Sequence, residues 1–328
     1  AELEKVGMAA ALSTTRYDMR AATVGKYALF AGGYISKSSF GYSVSSSVDA
    51  YNTSLTKSTP TELSCKRCGH AAASVGGYAL FAGGASSYNL LNFYENLVSA
   101  VDAYDASLTR SAAHIIGATV AIGGAAVGNY ALFAGGTVYS QINKDNVTSD
   151  VLAYDPSLTF TTAPLLSVAR ANVKGASAGN YALFAGGRAG SFCTTVDAYN
   201  ASLTRTTATA LSSTKNNSAA ATVGNHAIFV GNTASADIYD ASLTKTSAAI
   251  LSTARTGLAA TTVGDYAIFS GGGVADFCDA SLTRSSIGTS MTGYDMGAAT
   301  IGDYALFAGG HSGEKSDTAY DSVEVYTA

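Results

Sequence analysis

Apolar and polar side chains alternate along this chain in short runs, and one run returns seven times. Its form is Y-A-L-F-A-G-G, in which apolar residues are followed by a pair of glycines. Short alternating runs that end at glycine predict β-strands, because successive side chains of a strand point to opposite faces. Five copies keep the string and two are looser; they lie at Tyr27–Gly33, Tyr78–Gly84, Tyr130–Gly136, Tyr181–Gly187, His226–Asn232, Tyr266–Gly272 and Tyr304–Gly310.

A second string, V-D-A-Y-D-A-S-L-T, follows each copy of the first, and a segment rich in alanine, serine and threonine precedes it. Each repeat therefore predicts four short strands, which we call a to d in chain order. In the second repeat strand a is Ala71–Val75, strand b is Tyr78–Ala82 and strand c is Val101–Tyr104, while strand d is polar and outermost. The second string lies at Val48–Thr56, Val101–Thr109, Val151–Thr159, Val196–Thr204, Ala236–Thr244, Ala275–Thr283 and Val323–Tyr326.

The two ends of the chain predict how the repeats are arranged. The last repeat stops after strand c at Tyr326, whereas Glu2–Ala9 matches a strand d that precedes the first strand a. A first strand that completes the last repeat would remove free sheet edges, which proteins avoid. The sequence therefore predicts an all-β fold, a seven-bladed β-propeller that spans residues 1–328 as a single domain. Each blade has four antiparallel strands, and the N-terminal outer strand closes the ring by completing the C-terminal blade.

The glycine pair after strand b, the tyrosine of strand c and the arginine before strand a resemble the kelch repeat, and this resemblance covers the whole chain. It implies a divergent kelch-like propeller, because the family's tryptophan six residues after that tyrosine is absent and the chain has no tryptophan. The abundance of Ala, Ser, Thr and Gly resembles bacterial or phage propellers, which implies an extracellular, cell-surface or virion location. The residues at the tryptophan position are Lys57, Arg110, Phe160, Arg205, Lys245 and Arg284.

Comparison of the repeats with one another places nearly all of the length variation in the loop between strands b and c. From the second glycine after strand b to the strand c tyrosine, or to Cys278 in the sixth repeat, the spacing is 18, 20, 18, 12, 7, 6 and 16 residues. Because strand direction alternates, the b–c and d–a loops emerge at one face and the tight a–b and c–d turns at the other. Binding residues concentrate on loops carried by a rigid scaffold, so we expect the irregular face to carry the function.

The irregular face carries aromatic side chains beside polar ones. Such a mixture suits a partner that is part apolar and part polar, either a glycan or a protein. An alternative is that the rings pack the loops onto one another. The candidate ligand-binding residues are Tyr34, Phe40, Tyr42, Tyr88, Phe93, Tyr94, Tyr139, Arg188, Phe192 and His311.

Basic residues recur nine positions before the glycine of the a–b turn, in the loop that leads into strand a. A ring of cations at the mouth of the channel could grip carboxylates, arginine in bidentate fashion, and the kelch resemblance implies ligand contacts at this position. An alternative is that each side chain bonds carbonyls of a neighbouring blade. The candidate channel-mouth cations are Arg16, Arg67, Arg170, Lys215 and Arg255, while Thr119 and Gly293 hold this position in the third and seventh repeats.

Charge and hydropathy restrict the partners. A formal net charge of −4 argues against nucleic acid, whose binding needs clustered cations. The uncharged stretch from His114 to Gly136 is long enough to suggest a membrane span. It is glycine-rich, however, and in register with the other repeats, so we expect two strands there and no membrane insertion.

Familiar catalytic chemistry is missing from the sequence. Cys65 and Cys68 precede His70, a spacing that can begin a zinc site, but no second pair of ligands follows, and a local disulfide or two ordinary thiols are the other readings. Phosphate-loop and H-E-x-x-H motifs are absent. Aspartates such as Asp49 recur by position, which favours a structural role. We therefore expect no metal, no cofactor and no enzymatic activity.

These observations predict a non-enzymatic recognition module that binds a glycan or a protein through the irregular face. A structural propeller in a bacterial or phage surface complex is the alternative, and an enzyme with an unrecognised site is the third reading. In each case the chain could belong to a larger chain or assembly.

Overall fold

The structure, a computed structural model, describes residues 2–38, 41–89, 94–138, 146–215, 219–313 and 318–328. All regular elements within these ranges are β-strands, numbered β1 to β34. The strands up to the end of the second repeat are β1 (Glu4–Ala9), β2 (Arg20–Val24), β3 (Tyr27–Ala31), β4 (Tyr34–Ser38), β5 (Gly41–Val44), β6 (Val48–Asn52), β7 (Lys57–Ser58), β8 (Ala71–Val75), β9 (Tyr78–Ala82), β10 (Ala85–Tyr88), β11 (Tyr94–Leu97), β12 (Val101–Asp105) and β13 (Arg110–Ala112).

The third and fourth repeats contain β14 (Gly123–Val127), β15 (Tyr130–Ala134), β16 (Val151–Tyr154), β17 (Phe160–Ala163), β18 (Lys174–Ala178), β19 (Tyr181–Ala185), β20 (Arg188–Ala189), β21 (Ser191–Phe192), β22 (Val196–Asn200) and β23 (Arg205–Ala208). The last three repeats contain β24 (Ala219–Val223), β25 (His226–Val230), β26 (Ser235–Tyr239), β27 (Lys245–Ala249), β28 (Ala259–Val263), β29 (Tyr266–Gly271), β30 (Val274–Asp279), β31 (Arg284–Gly288), β32 (Gly297–Ile301), β33 (Tyr304–Ala308) and β34 (Val323–Thr327).

The strands form eight four-stranded antiparallel sheets and one two-stranded hairpin, which is consistent with a β-propeller-like repeat fold. Seven of the four-stranded sheets follow the predicted order a, b, c, d, and we number them repeats 1 to 7. The prediction of an all-β fold built from repeated four-stranded sheets is confirmed. The sheets are β2-β3-β6-β7, β8-β9-β12-β13, β14-β15-β16-β17, β18-β19-β22-β23, β24-β25-β26-β27, β28-β29-β30-β31 and β32-β33-β34-β1.

The N-terminal strand lies where the sequence predicted it. β1 pairs antiparallel with β34, so that Glu4 lies opposite Thr327 and Ala9 opposite Val323. The outer strand of repeat 7 thus comes from the other end of the chain.

The uncharged stretch from His114 to Gly136 contains two strands, β14 and β15, as expected. Throughout the ranges that the structure describes, no helix has the length and apolar character needed to cross a membrane.

The first strands of consecutive repeats pack side by side. In order around the repeats, β2 lies beside β8, β8 beside β14, β14 beside β18, β18 beside β24, β24 beside β28, β28 beside β32, and β32 beside β2. Small side chains permit this approach. A Cβ added at Gly175 would lie 2.2 Å from the carbonyl oxygen of Gly124 in the preceding repeat, so only glycine fits there.

Hydroxyl groups link these first strands. Ser74 Oγ donates to the carbonyl of Thr23 in the preceding repeat at 2.7 Å, and Thr222 Oγ1 donates to that of Ser177 at 3.0 Å. Ser and Thr therefore occupy this strand for their hydrogen bonds as well as for their small size. The remaining links of this kind are Ser177 to Ala126, Thr262 to Thr222 and Thr300 to Thr262.

The core lies between neighbouring sheets and is built from side chains of strands a, b and c. In repeat 1, Phe30 meets Tyr51 edge to face with ring centroids 5.9 Å apart, a geometry that aromatic pairs prefer. The buried Tyr51 hydroxyl donates to the carbonyl of Ala10 at 2.7 Å, so its polar end is satisfied. The same phenylalanine–tyrosine pair recurs as Phe81–Tyr104, Phe133–Tyr154, Phe184–Tyr199, Phe229–Tyr239 and Phe307–Tyr326.

A buried aspartate in strand c lies between two cations in five repeats. In repeat 1, Asp49 pairs with Arg16 of the d–a loop at 2.5 Å and with Lys57 of strand d at 3.8 Å. Burying a charge is costly unless partners compensate it, and the paired cations supply that compensation. The other triads are Arg67–Asp102–Arg110, Arg170–Asp197–Arg205, Lys215–Asp237–Lys245 and Arg255–Asp276–Arg284.

In three of the triads the d–a cation also fastens both stems of the b–c loop. Arg16 donates to the carbonyl of Gly32, where the loop starts, at 3.0 Å, and to that of Ser47, where it ends, at 2.7 Å. The equivalent contacts are Arg67 with Gly83 and Ala100, and Arg255 with Gly271 and Val274.

These contacts correct the expectation of a cation ring that grips a ligand. The five candidate channel-mouth cations are buried within the fold, at most 9% exposed in their side chains, because each is engaged by the carboxylate of its own repeat. The alternative was also inexact, since the carbonyls that Arg16 bonds belong to its own repeat and not to a neighbouring one. The residues concerned are Arg16, Arg67, Arg170, Lys215 and Arg255.

Repeats 3 and 7 lack the cation–aspartate–cation triad, but neither is left with a buried charge that has no partner. Repeat 3 has Thr119, Leu152 and Phe160 at the three positions, so the carboxylate and both cations are lost together. In repeat 7 the carboxylate is Glu324, and Lys5 of β1 pairs with it. Burial opposes ionisation of Glu324, but hydrogen bonds from Lys5, Ser290, Thr289 and Tyr326 lower its pKa to about 2.

The triad of repeat 2 offers a test of this compensation. We expect Asp102→Leu alone to cost about 3–5 kcal/mol of unfolding free energy, because it leaves the buried Arg67 without its carboxylate. The triple variant Arg67→Thr, Asp102→Leu and Arg110→Phe copies repeat 3 and is expected to recover much of that loss. Equilibrium unfolding in guanidinium chloride measures both. A triple variant less stable than the single one would contradict the interpretation.

Candidate functional site at the convergence of the loops

The long b–c loops of repeats 1 and 2 form an ordered sheet of their own. β4 and β5 form one hairpin, β10 and β11 form another, and the two join between Tyr42 and Tyr88. The d–a segment is attached to the same loops, since the amides of Tyr17 and Tyr34 donate to each other's carbonyls at 3.0 and 2.8 Å. The described parts of these two loops are therefore structured, and the loops of repeats 1 and 2 support one another.

Four of the candidate aromatic residues pack together on this sheet. The Tyr34 ring lies 5.1 Å from that of Tyr17, 5.5 Å from that of Tyr42 and 5.8 Å from that of Tyr88. Tyr88 in turn meets Tyr94 at 4.9 Å. Tyr34 is buried, so its ring supports the loops, as the alternative held; the other three are half-buried and each presents part of its surface.

The remaining candidates are scattered. Arg188 and Phe192 lie opposite each other in the small hairpin β20–β21, and Phe192 is 43% exposed. We call the sheet of β4, β5, β10 and β11 the tyrosine sheet. His311 lies close to it, with its ring 4.6 Å from that of Tyr17. Phe40, Phe93 and Tyr139 lie outside the described residues.

A polar pocket opens where the d–a loops converge above the first strands. Its volume is about 230 Å³. The tyrosine sheet forms one wall through Tyr17, Tyr34 and Tyr94, and charged residues form much of the rest. We call this the loop-side pocket; its lining is Tyr17, Asp18, Arg20, Tyr34, Gly69, Tyr94, Ala121, Asn172, Lys174, Leu258, Asp295 and Met296.

The rim of the loop-side pocket is a chain of backbone hydrogen bonds between equivalent positions. The Asp18 amide donates to the carbonyl of Asp295 at 2.7 Å, and the Asn172 amide donates to that of Ala121 at 2.8 Å. All these residues have a left-handed backbone, with φ of 51° at Asp18 and Asp295 and 58° at Asn172. Asp and Asn tolerate this conformation better than other side-chain-bearing residues, so polar groups at the rim also suit its geometry.

Charges on the pocket wall are mostly paired. Arg20 and Asp18 form an ion pair at 2.7 Å, and Arg20 Nε donates to the carbonyl of His70 at 2.9 Å. His311 Nε2 lies 3.0 Å from Asp295 Oδ2, while His311 Nδ1 accepts from the Gly313 amide at 3.2 Å.

Lys174 differs from these groups. Within the described ranges its ammonium takes part in no ion pair or hydrogen bond. Burial lowers the pKa of Lys174 and the neighbouring Arg20 lowers it further, whereas Asp18 and Asp295 act in the opposite direction.

Sequence reasoning missed Asp18, Arg20, Lys174 and Asp295. A signal was available in the comparison of repeats, because Arg20 and Lys174 begin their first strands where other described repeats begin with Ala or Gly. Two long cations among small residues mark a local departure from the repeat. The recurring arginines were predicted as site residues instead, but they recur because they form buried ion pairs within their repeats.

The cysteines form no site. All four are free, and the residues that the structure describes hold no cluster of three or more histidine, cysteine or acidic side chains that could bind a metal ion. Burial raises the pKa of Cys68 and of Cys278 to about 12, which makes both thiols poor nucleophiles.

Comparison with known proteins adds no family to this geometry. No protein-family model matches the chain, and no curated protein matches it significantly.

His70, beneath the loop-side pocket, makes stability depend on pH. It is fully buried, and burial together with Arg67 and Arg20 lowers its pKa well below 6.5. The folded state therefore holds the neutral ring, and its contribution is complete above about pH 6.5 and lost as the pH falls below that value. Each pH unit costs up to about 1.4 kcal/mol until the folded-state pKa is reached.

We expect His70→Met to flatten this acid dependence between about pH 6.5 and 4.5, since methionine holds the equivalent place at Met19 and Met296. Denaturant unfolding at a series of pH values measures the slope. An unchanged slope in the variant would assign the acid sensitivity to other groups.

Proposed function

We propose that the chain is a closed, kelch-like propeller of seven blades, which repeats 1 to 7 would form in turn. The support is the cyclic order of neighbours among the first strands, in which β32 lies beside β2. The turns agree with this order: a Cβ at Gly25 would meet Ala106 of the next repeat, and one at Gly302 would meet Thr53 of repeat 1. Strand β1, which pairs with β34, would then hold the two ends of the ring together.

A disulfide between the first and last strands tests closure. We expect Glu4→Cys with Thr327→Cys to cross-link under mild oxidation, because the two residues lie opposite each other. A bond that closes so long a loop should stabilise by roughly 4–5 kcal/mol, read as a higher Tm without reductant. Cys65 and Cys193, the more accessible native thiols, are first changed to serine.

The control is Glu4→Cys with Ser111→Cys, which places the second thiol on the outer strand β13 of repeat 2. It should stay reduced under the same conditions. Equal cross-linking of both pairs, or of neither, would count against a ring closed by β1.

We further propose that this propeller is a non-enzymatic recognition module that binds a glycan or a protein through its irregular face. The observation that carries the proposal is the loop-side pocket, which combines paired charges, an ammonium without a described partner and tyrosine rings at one opening. Binding sites are concave and combine apolar walls with a few convergent polar groups, and this pocket has both.

The contacts of the histidine beside the loop-side pocket disfavour catalysis there. His311, beside the pocket, has Nε2 directed at Asp295 and Nδ1 occupied by the Gly313 amide. The alternative function, a structural propeller in a surface assembly, would leave the pocket without a ligand.

An array of glycans and proteins tests recognition. We expect specific binding that is lost or weakened about tenfold by Asn172→Ala, because Asn172 is exposed at the pocket rim. The control is Asn129→Ala, an exposed asparagine in an a–b turn of the regular face. Equal effects of both variants would reject the irregular face as the site. Absence of binding together with self-assembly would favour the structural alternative.

A further inference from the structure

The loop-side pocket has a charge arrangement that limits what can bind. Asp18 neutralises Arg20, and Asp295 lies against His311, so each of these charges has a partner inside the protein. Lys174 is the remaining charged group of the lining, and among the described residues its ammonium is unpaired. A ligand therefore gains most by bringing one negative charge to Lys174.

The same walls disfavour a ligand with several negative charges. Asp18 and Asp295 line the pocket together with Lys174, and they would repel a second or third carboxylate. Their oxygens can instead accept hydrogen bonds from hydroxyl groups, as can the Asn172 amide oxygen. An acidic peptide, with a series of carboxylates, meets these requirements poorly.

The volume of the pocket and its aromatic wall restrict the class of ligand further. A volume of about 230 Å³ is below the roughly 300 Å³ at which pockets for drug-sized ligands begin, so the space suits one small ring. Tyr94 lines this space and is half-buried, and a tyrosine ring can pack against the apolar face of a sugar.

We propose that the loop-side pocket binds a single sugar acid, a hydroxyl-rich ring with one carboxylate, and that Lys174 holds this carboxylate. Asp18, Asp295 and Asn172 would receive the ring hydroxyls. This inference rests on the proposed recognition function and names its ligand class. The sugar acid can be free or be the terminal unit of a glycan, since the recognised chemistry is the same.

The fold should tolerate the decisive variant. Lys174 begins strand β18, and the equivalent positions in repeats 2, 5 and 6 are Ala71, Ala219 and Ala259. Lys174→Ala therefore copies a residue that the same strand carries elsewhere in the chain. The matched control is Lys26→Ala, which removes an exposed lysine from an a–b turn on the opposite face.

The experiment measures the affinity of the full chain for glucuronate, N-acetylneuraminate, glucose and glutamate by calorimetry, and for oligosaccharides that end in each sugar. We expect a sugar acid to bind, glucose and glutamate to bind at least about tenfold more weakly, and Lys174→Ala to lose about tenfold or more in affinity. Lys174→Arg should restore part of the loss, and Lys26→Ala should have no effect. If only the free sugar acid binds, or only the oligosaccharide that ends in it, the result identifies which of the two forms the pocket recognises.

Two outcomes overturn the proposal and are distinguishable. If a neutral glycan or a protein binds, with sensitivity to Asn172→Ala but not to Lys174→Ala, the recognition function holds and the sugar acid does not. If no ligand of the array or of this set binds, the recognition function fails as well.

Discussion

Five of the seven repeats depend on a carboxylate that is buried in strand c and held by a cation from the d–a loop. That cation does three things at once in repeat 1: Arg16 pairs with Asp49, and it bonds the carbonyls at the start and the end of the b–c loop. Removing an ion from water is costly, so the pair forms only where the surrounding backbone holds it. The loop stems, the d–a loop and strand c are therefore fixed relative to one another, and the length of chain between the stems is left free to vary.

Repeat 3 indicates how strongly the members of the triad depend on one another. It has lost the cation, the carboxylate and the second cation together, and Thr119, Leu152 and Phe160 stand in their places. Repeat 7 keeps its acid, Glu324, and obtains a cation from the other end of the chain. In both repeats no buried charge is left without a partner. A lone buried charge costs more free energy than either a paired set of charges or an apolar substitute.

Much of the fold could be predicted from the sequence because it is repeated. Alternation of apolar residues and the glycine pairs located strands such as β8 and β9 to the residue, and the truncated last repeat indicated the pairing of β1 with β34. The site was harder to predict. Recurring arginines suggested a ligand site. Whether an arginine can contact a ligand depends on its burial, however, and the sequence alone does not show burial.

The residues that line the pocket are exceptions to the repeat. Arg20 and Lys174 interrupt the small residues of the first strands, and the tyrosine sheet arises from contacts between loops of two different repeats. No periodic pattern encodes such contacts. They depend on where β5 and β10 meet in space, which the sequence of either loop alone does not specify.

Because the d–a cation holds both stems of the b–c loop in repeats 1, 2 and 6, each of these repeats can accept b–c loops of different length. Chain lengths from six to 20 residues already separate the glycine pair from the strand c position within this one protein. Diversification of the irregular face can then proceed one loop at a time, by insertion or recombination, while the sheets beneath keep their register. The ion pair thus makes the scaffold evolvable as well as stable.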